Sequence, residues 1–226
     1  VTLPTVTPTP LPTLLPTPAN PTPVPPRGIS GRVLYQGSGV GGIQVQLEVC
    51  SFSSCTIKVR VTTTVDGQYN FPDAPSASGI AGYHVTYRNG SDGGNADDAR
   101  FLDVWQAAPI LDSGYGERVS VAPFDIADVV VTAPGNNTTV NLPQTFSWNS
   151  RGIAGEAYGW PITYYPLAFC NQEPAVGNTS FTFESLDCQI PSLSVGEPYS
   201  WWISITRSGA NGGSGLSRAR TVTFSP

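Results

Sequence analysis

The stretch "GIQVQLEVCSFSSCTIKVRVTTTVDGQYNF" (residues 42–71) decides the fold class. Apolar Ile43, Val45, Leu47 and Val49 alternate with polar neighbours, and Ile57, Val59 and Val61 repeat the pattern after a short turn. Period two marks a strand with one buried face. The Asp66-Gly67 pair turns the chain into "QYNF", which places Tyr69 and Phe71 on one face. Outward from this stretch, "GISGRVLYQGSG" upstream and "YHVTYRN", "FLDVW" and "RVSVAPFDIADVVV" downstream read the same way. With 24 glycines and 22 prolines, every candidate helix is interrupted, and the chain reads as all-β.

Composition narrows the function classes. The 226 residues are 39% hydrophobic, ample for packed cores, but only 12% charged, about half the usual share. Net charge is −5 with no basic cluster, which argues against nucleic acid or anionic lipid as partner. No apolar run approaches the ~18 residues of a membrane span. The sequence contains no methionine, so an upstream segment is expected, in the simplest case a removed secretory signal. Four cysteines allow three connectivities; the local one, Cys50 with Cys55 and Cys170 with Cys188, closes the two shortest loops. Structural disulfides imply an oxidising, extracellular or cell-surface location. A zinc site is disfavoured, because the only histidine, His84, lies away from both cysteine pairs.

The words "ISGRVLYQGSGVGGIQVQLEV", "TTTVDGQYNF" and "YHVTYRN" resemble the carboxypeptidase regulatory-like and B-type adhesin repeat families. The residues that carry the likeness are Gly31, Val33, Val40, Val45, Asp66, Gly67, Tyr69, Phe71, Tyr83 and Val85, and it covers residues 28–127. The resemblance implies a β-sandwich used as a stalk or spacer in bacterial surface proteins. Further on, Phe146 and Trp148 form an inward pair, and "LSVGEPYSWWISITRSG" with "ARTVTF" resembles the last strands of fibronectin type III-like domains. That likeness covers residues 128–226 and implies a tyrosine corner built on Leu193, Gly196 and Tyr199, with Val195 in place of the usual proline. The expected organisation is a 1–27 arm, a 28–127 sandwich and a 128–226 sandwich, the two joined stiffly by the short "DVVVTAP".

Candidate sites are few. A serine or cysteine triad would need His84 as its base, and alternation places His84 on the strand face opposite Tyr83 and Val85. No pair of carboxylates stands out, so the chain is expected to be non-catalytic. In "NGSDGGNADDARFLD", Asp92, Asn95, Asp97 and Asp98, with Asp103, offer hard oxygens that suit calcium; the same residues suit turn geometry. Some B-type repeats carry a lysine isopeptide crosslink, but alternation against Ile57 and Val59 points Lys58 outward. Tyr199, Trp201, Ile203 and Ile205 share one face, which leaves Trp202 outward with Ser200 and Ser204; Trp160 lies among aromatics in "EAYGWPITYY". Trp160 and Trp202 are the candidates for stacking on a glycan or a neighbouring subunit.

The first 26 residues hold ten prolines, seven threonines and no charge. Proline fixes φ and biases the preceding residue toward extended backbone, so the segment is expected near polyproline II, roughly 80 Å long at 3.1 Å per residue. Between the prolines stand Val1, Leu3, Val6, Leu11, Leu14, Leu15 and Val24, where ordinary linkers carry solvating residues. Stiff and apolar, the arm is suited to docking on another surface at low entropic cost. Thr5, Thr7, Thr9, Thr13, Thr17 and Thr22 are candidates for O-glycosylation. These features point to an extracellular structural protein that self-associates head to tail through its arm into a filament. The alternative is a carbohydrate-binding or spacer module of a larger secreted protein.

Overall fold

The computed structural model describes residues 28–51, 54–72, 74, 82–110, 118–164, 168–172, 177–186, 193–209 and 212–225, with backbone alone at 160–164 and 168–172. In chain order the first strands are β1 (Ile29–Tyr35), β2 (Ser38–Gly39), β3 (Gln44–Cys50), β4 (Cys55–Thr62), β5 (Gln68–Phe71), β6 (Gly82–Arg88) and β7 (Val104–Ala107). The next are β8 (Val119–Ser120), β9 (Phe124–Asp125), β10 (Val131–Ala133), β11 (Thr138–Val140), β12 (Gln144–Trp148) and β13 (Glu156–Tyr164). The last are β14 (Ala168–Gln172), β15 (Ser180–Phe183), β16 (Pro198–Trp201), β17 (Ser204–Arg207), β18 (Gly213–Leu216) and β19 (Arg220–Phe224). A single 3-10 turn, Ser91–Gly93, is the only helical element among the described residues, and the chain is all-β as its patterning predicts. Among the described residues, no helix is long and apolar enough to cross a membrane.

The turn at Asp66-Gly67 forms as read: the Gly67 N–H donates to the Thr64 carbonyl at 2.8 Å, and Gly67 takes φ +79°. Tyr69 and Phe71 are both buried. One part of the alternation fails. Leu47 pairs with Val59 but Glu48 pairs with Ile57, so Lys58 is the extra residue of a β-bulge. A bulge flips the side-chain parity of everything beyond it. Val59 and Val61 therefore stay with the core row of Leu47 and Val45, while Ile57 crosses to the face of Glu48 and is 41% exposed.

Eleven strands form the largest sheet, in the order β11-β19-β16-β13-β17-β18-β7-β6-β3-β4, with β14 also on β13. This order joins the two halves of the chain by more than the "DVVVTAP" connection. Along β13, the pairs Ile162 with Trp201 and Gly159 with Ser204 belong to one antiparallel register, so β16 and β17 are two parts of one long run. The ladder gaps at Trp202 and Ile203, across from Pro161, which has no N–H to give. On the far side of the run, β19 pairs with β16 and β18 pairs with β17. The gap there is spanned by Ser217, whose N–H donates to the Ile203 carbonyl while its Oγ accepts from Ile203 N, both at 2.8 Å. Past this gap, β18 pairs antiparallel with β7, and the C-terminal half thereby extends the sheet of the N-terminal half.

Buried side chains of both halves form one continuous cluster. Trp105, Tyr87, Phe124 and Leu47 anchor one end, and Phe146, Trp201, Tyr199 and Phe224 the other, all nearly or fully buried. Each such side chain contributes about 1.5–3 kcal/mol by leaving water. The tyrosine corner is present: the Tyr199 hydroxyl donates to the Ser194 carbonyl at 3.0 Å and accepts the Ser194 N–H, around Gly196 at φ +85°.

Candidate functional site: the junction and the open edge

Where β18 meets β7, the indole of Trp105 lies against Gly213 and Gly215. A Cβ on Gly215 would come within 2.7 Å of the ring, and one on Gly213 within 2.9 Å. Glycine is thus what lets this strand close over the tryptophan. The other side of the indole stacks on Phe124, with centroids 6.3 Å apart and planes 15° from parallel. Two guanidinium groups lie over the ring, Arg151 at 5.8 Å and Arg207 at 5.6 Å.

Arg151 is buried, and so are its anionic partners. Its side chain lies 3.7 Å from a carboxylate oxygen of Asp125 and 3.7 Å from one of Glu156, and its Nη2 donates to the Asp125 carbonyl oxygen. Asp125 also accepts the N–H groups of Gly37 at 2.7 Å and Ala127 at 2.8 Å. The Tyr158 hydroxyl donates to Glu156 at 3.1 Å and accepts the Arg151 N–H at 3.0 Å. Burial pushes the Glu156 carboxyl above its ordinary range, against the pull of Arg151. The β1–β2 turn, the 123–127 segment, the 150–153 loop and β13 are therefore tied to one another by a charge network held away from water.

A second network takes up the loop read as a calcium candidate. Asn95 accepts the Gln44 N–H at 2.8 Å and donates to the carbonyls of Gln44 and Arg88, bridging β3 to the end of β6. Asp97 pairs with Arg218, and both carboxylate oxygens of Asp98 hold Arg100. Asp92 is exposed and takes part through its backbone carbonyl, which accepts from Gln46 at 3.0 Å and Arg60 at 3.1 Å. Among the described residues, the one cluster of three His, Cys, Asp or Glu ligand atoms is Glu48, Cys50 and Cys55, and there the two sulfurs are bonded to each other. The structure does not bring Asp92, Asn95, Asp97 and Asp98 to a common centre; it uses the loop as a socket for Arg218. Arg220 completes the contact, reaching Asp128 at 3.2 Å and lying 5.9 Å over the Trp201 ring. Burial raises the pKa of Asp128 and of Asp103.

The remaining candidates are placed as follows. Cys50 and Cys55 form a disulfide across the β3–β4 hairpin. Cys188 lies outside the described residues, and of Cys170 only the backbone, in β14, is described. The arm residues Val1, Leu3, Val6, Leu11, Leu14, Leu15 and Val24, and Thr5, Thr7, Thr9, Thr13, Thr17 and Thr22, lie outside them too. Trp160 is in β13 with its side chain undescribed; Trp202 is half-buried at the ladder gap. His84 pairs across the sheet with Glu48, and its Nδ1 lies 3.3 Å from the Ala107 carbonyl oxygen.

No protein-family model matches the chain, and no curated protein does. Among solved structures it is similar to a tetra-tandem repeat in the extending region of a large adhesion protein, at 14% identity and a TM-score of 0.26. The match covers 87% of this chain, which spans about half of the other, 49% of its length.

Neither junction network was visible in the sequence. Asp125, Arg151, Glu156 and Arg207 are scattered over more than one element and carry no motif. The one usable signal was the scarcity of charge: in a chain only 12% charged, each arginine near an aromatic merited weight.

Beyond the junction, the sheet ends on β4, whose other side meets no described strand. All its side chains are exposed or half-buried. At eight residues it is longer than the described edge strands β10, β11 and β15.

Proposed function

We propose that the protein is a non-catalytic, extracellular structural subunit whose two β halves act as one stiff body and whose N-terminal arm engages another copy, building a surface filament or appendage. The observation that carries this reading is the shared sheet. Strands of the C-terminal half continue past the ladder gap and pair with β7 of the N-terminal half, and buried ion pairs flank the gap. A hinge between the halves would have to break main-chain ladders and expose paired charges, so force or torque passes through without yielding. The Cys50–Cys55 bridge supports an oxidising location. An apolar, uncharged arm supplies the contact a head-to-tail polymer needs.

Electron microscopy and sedimentation of the purified chain test this directly. The full chain is expected to form polymers, and the chain lacking residues 1–26 to remain a folded monomer. Polymers that persist without the arm, or a full chain that stays monomeric at high concentration, would overturn the proposal.

A further inference from the structure

The edge strand β4 and the proline spacing of the arm fit each other. Which groups β4 turns outward follows from the ladder on its inner side. The Thr63 N–H donates to the Ile43 carbonyl, while Gln44 turns its N–H and carbonyl the other way, to Asn95. Odd-numbered residues of β3 therefore bond toward β4, and Val61, Val59 and Thr56, which face Val45, Leu47 and Val49, bond inward. That leaves Thr62, Arg60, Ile57 and Cys55 with main-chain groups pointing away from the sheet. The Arg60 side chain folds back to the Asp92 carbonyl and does not cover this edge. Ile57 adds an exposed aliphatic patch beside it.

In the arm, every proline up to residue 20 sits at an even number: 4, 8, 10, 12, 16 and 18. In an extended strand, successive residues turn their N–H and C=O groups to opposite sides. One side of residues 1–19 thus carries all the prolines, and the other side keeps every donor. That is the arrangement in which a proline-rich segment can add to a sheet edge without losing a ladder bond. The bulge at Lys58 interrupts the edge of β4, which guards it against indiscriminate pairing while leaving two outward residues on each side.

We infer that residues 1–19 of one copy add as a strand to the outer edge of β4 of the next copy, bonding through odd-numbered residues to the outward groups of Cys55, Ile57, Arg60 and Thr62. This inference rests on the arm-mediated assembly proposed above and names the surface that receives the arm. Main-chain parity, not side-chain hydrophobicity, is then the determinant of docking.

The test is a set of proline substitutions in the full chain, read by sedimentation velocity and by hydrogen exchange at the β4 amides. Thr9→Pro with Thr13→Pro places rings on the bonding side and is expected to weaken self-association about tenfold or more. Leu14→Pro, on the proline side, is expected to leave it within about twofold, although it removes an aliphatic side chain. On the receiving edge, Thr62→Pro removes an outward N–H without touching the β3 ladder and is expected to weaken assembly as Thr9→Pro with Thr13→Pro does. Exchange at Cys55, Ile57, Arg60 and Thr62 should slow on assembly. The reverse pattern, Leu14→Pro disruptive and Thr9→Pro with Thr13→Pro silent, would refute strand addition yet keep an arm-built polymer. β4 protection that does not change with protein concentration would place the arm on its own chain and overturn the inference. Assembly unaffected by deletion of residues 1–26 would instead sink the underlying proposal.

Discussion

Replacing Arg151 by methionine tests whether the buried network holds the two halves together. The guanidinium stands 3.7 Å from carboxylates of both Asp125 and Glu156 and has almost no contact with solvent. At that distance each attraction is worth about 4 kcal/mol in an effective dielectric near 20. Most of that sum offsets the cost of taking three ions out of water. Methionine fills much of the volume, so the variant isolates charge from packing. Two carboxylates, 8% and 1% exposed, then lose their counter-ion. Removing one partner of a buried pair costs about 3–5 kcal/mol. For a body of this size the melting temperature should fall by roughly 10 °C. Differential scanning calorimetry would measure it, with Glu156→Gln added to Arg151→Met as the complement. The double variant should recover part of the loss, since one stranded charge is gone. A drop equivalent to less than about 1 kcal/mol would refute the claim that this network locks the junction.

Two further outcomes follow from the same geometry. Glu156, Asp128 and Asp103 have carboxyl pKa values raised by burial, so their stabilising contribution is complete below the ordinary carboxylate range and is lost as pH rises through the folded values. Asp98, held at about 2 by Arg100, and Asp97, lowered by Arg218, act in the opposite sense and lose their contribution only in stronger acid. Thermal stability should therefore rise as pH falls toward the ordinary carboxylate range of about 4 and fall in stronger acid, and Glu156→Gln should flatten the rise; a decline with no preceding rise would contradict the assignment. At the tyrosine corner, Tyr199→Phe removes a buried hydroxyl with two backbone partners at Ser194, and urea titration should show a loss of about 1–2 kcal/mol with unchanged slope.

Much of the fold was legible because period-two alternation is set by burial of one face. It placed Val45, Leu47, Tyr69, Phe71, Tyr83 and Val85 in the core, and the resemblance to fibronectin type III-like strands implied the corner at Leu193 to Tyr199. Two things were not legible. The bulge at Lys58 adds one residue inside "TIKV" with no glycine or proline to mark it, so the alternation reads as continuous and puts Ile57 on the wrong face. Strand β18 is "GSGL", a composition that reads as turn; it is an interior strand because Trp105, more than a hundred positions away in the chain, needs the space two glycines leave. For the site, Asp97 and Asp98 suit calcium and turn geometry alike in the sequence, because hard oxygens on a loop look the same whether a cation or an arginine will meet them. Arg218, which meets Asp97, carries no sequence mark linking it to that loop.

The late arrival of β18 bears on how the molecule is made. A polypeptide released N-terminus first presents the bare rim of β7 to its surroundings until a partner synthesised roughly a hundred residues afterwards comes back to seal it. During that interval the nascent product is a sheet with a sticky, unfinished border. Synthesis of this protein therefore has a timing problem as well as a folding problem, and any factor that chaperones it would be expected to shield that border first.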